Sequence, residues 1–148
     1  MILVPGWHPL VVHFPIALTL TAGASLIAAK AARSDSLSAT LATIGTWNLC
    51  MGAVAALFAL GTGLAAVLDL RVGAAEHAAI ATHVKWAMFS SLALLLTAVW
   101  RGAGHAQQSR PTGPLLIVLT AVCIALAVAG YHGGENVYRY GIGVERAN

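Results

Sequence analysis

Charge is what this sequence has least of. Eight basic and five acidic residues make up 9% of its 148 positions, where a soluble globular domain carries roughly 25%. So small a polar quota leaves no stretch able to form a separate water-soluble domain. The formal net charge of +3 is too small and too scattered for a nucleic-acid footprint. No basic run is interleaved with aromatics, as a single-strand platform requires. Cysteine is nearly absent: Cys50 and Cys123 each lie inside an apolar run and are expected to pack as small hydrophobes. No Cys-x-x-Cys-His occurs, which excludes covalent attachment of a c-type haem. The opening MILVPGW lacks a basic leader and a small-residue cleavage site, so it is read as mature sequence.

What remains is apolar, at 59% hydrophobic residues. Four segments reach the roughly 20 residues that a helix needs to cross a bilayer. They run from about Pro9 to Ala32, Leu41 to Leu70, Ala78 to Trp100 and Pro114 to Gly130. Short connections make successive helices antiparallel neighbours. The expected fold is therefore all-α: a single-domain, integral membrane, four-helix up-down bundle. A short non-helical C-terminal tail, 131–148, is expected to follow, because Gly133 and Gly134 favour a helix stop. That tail is read either as a lid over one end of the bundle or as a segment resting on headgroups. Glycines and alanines in the second segment mark close helix contacts.

The loops between segments one and two and between three and four carry Lys30, Arg33, Arg101 and Arg110 against Asp35. The other side carries Arg71, Arg139 and Arg146 with Asp69, Glu76, Glu135 and Glu145. By the positive-inside rule the first set faces the cytoplasm. Both termini are then expected in the periplasm, with the protein in a bacterial inner membrane.

That topology sorts the six histidines. His105 falls in a cytoplasmic loop, and the other five gather at the outer ends of helices. His13 stands roughly 6 Å beyond Pro9 and His83 about 7–8 Å beyond Ala78 at 1.5 Å per residue. Two imidazoles at matched depth on different helices suit the two faces of one b-type haem. Lys85 and Arg71 are candidate partners for its propionates. His8, His77 and His132 are placed nearer the interface, where with Glu76 and Asp69 they form a candidate mixed nitrogen–oxygen metal site. Against ligation stands a plainer reading, in which each histidine hydrogen-bonds in an interfacial water pocket and Lys85 merely snorkels. Intramembrane ionisable groups are nevertheless functional candidates. Pro15 frees the carbonyl of Val11 and should loosen the helix beside His13.

Two end motifs carry a resemblance. HPLVVHFPIAL (His8–Leu18) and GGENVYRYGIGV (Gly133–Val144) resemble the signatures His-Pro-x-x-x-His-Phe-Pro and Gly-Gly-x-x-Val-Tyr-x-x-Gly-x-Gly-Val. These belong to a bacterial membrane family classified only as a domain of unknown function. GLAAVLDL (Gly63–Leu70) and His83 are similar to further family features, the first with a longer spacing. His132 and Asn136 stand where relatives usually carry apolar residues. Family members fused to Rieske or cytochrome c domains imply a place in membrane electron transfer.

Three functions follow as expectations. The leading one is an electron-transfer protein or subunit, non-enzymatic, holding one haem b between His13 and His83. It would exchange electrons with a periplasmic cytochrome c or Rieske-type carrier, or within a larger redox or photosynthetic complex. The second is a cofactor-free structural subunit of such a complex, and the third a metal-binding membrane protein. Membrane lipid is a partner in all three and nucleic acid in none.

Overall fold

In a computed structural model the chain is helical and strand-free across the described residues, which are 4–70, 72–102 and 110–144. The helices are α1 (Val4–Val11), α2 (His13–Ala31), α3 (Asp35–Asp69), α4 (Ala74–Gly102) and α5 (Gly113–Tyr138). Only Val12 separates α1 from α2, and with φ −62° and ψ −21° it keeps the helical sense. The interruption falls beside Val11, whose carbonyl loses its helical donor to Pro15. Together α1 and α2 form one of four candidate membrane spans; α3, α4 and α5 supply the others. Around the bundle α2 packs on α3, α3 on α4, α4 on α5, and α5 back on α2, while α1 lies on α3. The four spans among the described residues bring Val4 and Val144 to one end of the bundle, called here the terminal end.

The bundle is small inside and large outside. Its core mixes Ala22, Ala53, Ala56 and Ala98 with Leu26, Leu49, Leu94 and Leu119. Leu20, Phe58, Leu64, Phe89, Leu96 and Ile117 stand exposed on the perimeter. In water this would be inverted; in lipid, perimeter hydrophobes are solvated and helices associate where small residues let backbones approach. Gly45 is the tightest such point in the core, since a Cβ there would lie 2.7 Å from Leu26 Cγ and 3.2 Å from the Ala22 carbonyl. Polar side chains in the spans turn back on their own helix: Thr43, Thr46, Thr97 and Thr120 each donate to the carbonyl four residues earlier. Hydrocarbon offers them no other partner. Both cysteines are free and half-buried.

The opposite end is tied by polar contacts. Ser34 caps α3 and Thr112 caps α5 through their side-chain oxygens. Arg110 donates to the Ala32 carbonyl at 2.8 Å and to Asp35 Oδ1 at 3.0 Å, joining the start of α5 to the α2–α3 turn. Arg101, expected in the loop, instead completes the last turn of α4, where it is buried and donates to Thr46 Oγ1 at 3.1 Å.

The element boundaries differ from expectation at the terminal end. The first span begins at Val4 and not Pro9: Pro5 stands in the first turn, where proline costs no helical hydrogen bond, and Pro9 lies inside α1, where it leaves only the Pro5 carbonyl without its helical donor. α4 begins at Ala74 and not Ala78, and α5 continues through Gly133 and Gly134 to Tyr138. The non-helical tail therefore shrinks, within the described residues, to the turn at 139–144. Gly141, at φ 65°, ends the helix there in the left-handed conformation that glycine adopts without strain. The two glycines expected to stop α5 are tolerated because a neighbouring side chain fills the space beside one of them.

Gly45→Val should cost about 1–3 kcal/mol through overpacking. The expected observation is an earlier unfolding midpoint in a denaturing-detergent titration. Gly61→Val, where a Cβ meets open space, should leave the midpoint nearly unchanged.

Candidate functional site: a histidine pair at the terminal end

His8 and His83 face each other across the terminal end of the bundle, with ring centroids 6.3 Å apart and planes at 74°. Each ring sits on a glycine of a neighbouring helix. A Cβ at Gly63 would lie 2.8 Å from His8 Cε1, and one at Gly133 would lie 3.1 Å from His83 Cε1. α3 and α5 therefore make room for the imidazoles by omitting a side chain.

Hydrogen bonds fix which nitrogen of each ring is committed. His8 Nδ1 lies 3.1 Å from the Ala59 carbonyl and 3.3 Å from Thr62 Oγ1. His83 Nδ1 lies 2.9 Å from the Ala129 carbonyl. A carbonyl only accepts, so in each neutral ring the proton is on Nδ1 and the lone pair on Nε2. Among the described residues neither Nε2 carries a hydrogen bond. Two neutral imidazoles from different helices thus present unengaged lone pairs at one end of the bundle. Metal-ligating histidines are held in the same way, the non-ligating N–H on a backbone carbonyl.

The sequence pairs His13 with His83, but the structure pairs His8 with His83. His13 is exposed on α2. Five residues separate it from His8, which is about 140° of rotation at 3.6 residues per turn, so the two face different sides. Lys85 is exposed too, and two residues from His83 it is roughly 200° around α4. It does not share the face that carries His83. Arg71 and His105 lie outside the described residues, as does the side chain of Asp69. His77 is exposed in the first turn of α4 and Glu76 is half-buried. His132 bonds to Glu135 Oε2 at 3.2 Å. His8, His77, His132 and Glu76 do not converge: among the described residues no three of His, Cys, Asp and Glu form a metal-holding group.

Several residues of the site had no signal as chemistry. Ala59 and Ala129 contribute only backbone carbonyls, which no side-chain pattern reveals. Gly63 and Gly133 read as packing and stop residues. The clue available was angular: only one of His8 and His13 can face inward.

The fold and this pair define an integral membrane protein of four helical spans with inward-facing histidines at one end. The family described as "Predicted membrane protein (DUF2231)" matches residues 5–146, and the chain belongs to that family. No curated protein and no solved structure matches it.

Modification by diethylpyrocarbonate, followed by peptide mass spectrometry, reads this geometry. His8 and His83 should react more slowly than His77, because helix walls half-bury the first two and leave the third exposed. Gly63→Val should unmask His8 alone. Equal rates at all three histidines would contradict the arrangement.

Proposed function

We propose that this chain is a membrane electron-transfer protein or subunit that binds one b-type haem through His8 and His83. The observation that carries the reading is the pair of facing rings, each with Nδ1 committed to a carbonyl. Imidazoles bound to one ion from opposite sides, with bonds of roughly 2 Å, hold their centroids about 6 Å apart. The observed 6.3 Å fits that requirement. A bare ion would want further protein ligands, whereas a haem brings its own four nitrogens and needs only two axial ones.

When bound, the haem supplies a one-electron redox centre. The chain's own residues orient and tune it. The Ala59 and Ala129 carbonyls fix ring orientation. Gly63 and Gly133 admit the rings, and the helix walls keep the pair half-buried. Lys30, Arg33 and Arg110 at the opposite end favour a cytoplasmic position for that end. The termini and the histidine pair then face the periplasm of a bacterial inner membrane. The fitting partner is a periplasmic cytochrome c or Rieske-type carrier, or a larger membrane complex containing one.

A cofactor-free structural role has one specific observation in its favour. The same two Nδ1 bonds tie α1 to α3 and α4 to α5, which alone would staple the bundle. Spectroscopy separates the two. Full-length protein produced with ample haem should give a b-type α band in its reduced-minus-oxidised spectrum. His8→Ala and His83→Ala should abolish the band and His13→Ala should keep it. A wild-type spectrum without that band would refute haem binding and leave the staple.

A further inference from the structure

The terminal end holds a second polar constellation that the histidine pair does not use. Between the first turns of α4 and the last turns of α5 lies a cleft of about 230 Å³. Ala75, Ala78 and Ala79 form its α4 wall, and their small side chains leave the space open. His132, Glu135 and Asn136 line the α5 side. These three stand at i, i+3 and i+4, the spacing that puts side chains on one helix face.

Two features give this cleft the character of a cation site. Asn136 is only 8% exposed, yet among the described residues its Oδ1 has no hydrogen-bond partner. A buried amide oxygen left unpartnered is costly, and an amide oxygen is also a metal ligand. His132 Nδ1 and Glu135 Oε2 are 3.2 Å apart. Two ligands held at bonds of roughly 2.1 Å and near-tetrahedral angles are separated by about the same distance. Arg139 approaches the other carboxylate oxygen, Oε1, at 3.4 Å, and so leaves Oε2 to a ligand.

We propose that His132, Glu135 and Asn136 form a binding site for a divalent first-row transition-metal ion of the zinc type. The donor set is one imidazole nitrogen, one carboxylate oxygen and one amide oxygen, which suits such ions. Thr82 and Tyr140 also line the cleft, and water entering it completes the coordination. Binding moves the His132 proton from Nδ1 to Nε2, so the ring stays neutral and Nδ1 supplies the lone pair. Nothing in this site depends on the haem reading, because its donors are the side chains of His132, Glu135 and Asn136 and not those of His8 and His83.

The test uses the full chain in detergent and Zn²⁺ alone as the probe. Equilibrium dialysis with elemental analysis should find one Zn²⁺ per chain. Affinity should fall by about tenfold or more in His132→Ala and in Glu135→Gln, by the usual effect of removing a ligand or its support. His77→Ala and His13→Ala should keep it. Asn136→Asp, which replaces the amide with a carboxylate of the same size, should tighten binding and raise the Zn²⁺-dependent melting temperature. Because that variant gains affinity, its result is independent of any folding defect in the others. Binding unchanged by His132→Ala, or lost with His77→Ala or His13→Ala, would overturn the site. So would unchanged affinity in Asn136→Asp, or no binding by the wild type. The visible spectrum of the same samples reports the haem separately.

Discussion

Close approach of helices through small residues is the constraint on which this molecule rests. In lipid no hydrophobic drive separates a buried leucine from an exposed one, so helices hold together only where backbones come near. Gly45 meets Leu26 in the middle of the α2–α3 contact. The same device, used at Gly63 and Gly133, sets two imidazoles between helices in space that a larger residue there would crowd. Packing and site are thus one solution: the omission of a Cβ that draws helices together also creates the niche for a ring.

Backbone satisfaction supplies the complementary rule. Inside hydrocarbon each carbonyl and N–H must find a partner within the protein. Threonines answer by bonding back along their own helix, as Thr46 does to the Ala42 carbonyl at 2.7 Å, and nearer the terminal end Thr62 does so to the Ala59 carbonyl at 3.0 Å. His8 places its Nδ1 on that same carbonyl, so one oxygen serves both a local bond and an interhelical one. The site is built on backbone atoms that the helix already supplies.

The spans were legible in the sequence because hydropathy over 20 residues is a collective property that single residues hardly perturb. Their ends were not. Pro9 looked like a helix start, and that reading put His8 at the interface and His13 one turn inside. With α1 beginning at Val4, His8 moves into the helix and the five-residue interval turns His13 away. His83 was legible because it lies well inside a strongly apolar segment on either choice of boundary. The relation of His132, Glu135 and Asn136 was hidden by treating Gly133 and Gly134 as a stop. Without a helix there, a spacing of three and four carries no geometric meaning. Gly133 in fact lies inside α5 because His83 fills the volume its side chain would occupy.

The length of α3 has a consequence for where the terminal end stands in a bilayer. From Asp35 to Asp69 the helix is roughly 52 Å long at 1.5 Å per residue, against a hydrocarbon core of about 30 Å. Asp35, beside Arg110 and the capped helix ends, marks one water boundary. Ala59 then lies roughly 36 Å up the helix, which even a typical tilt of about 20° brings no lower than the far boundary. The last two turns of α3 rise beyond it like a post, with α1 leaning on its side. The histidine pair is therefore seated at headgroup level, walled by helices yet within reach of anything that docks from the water.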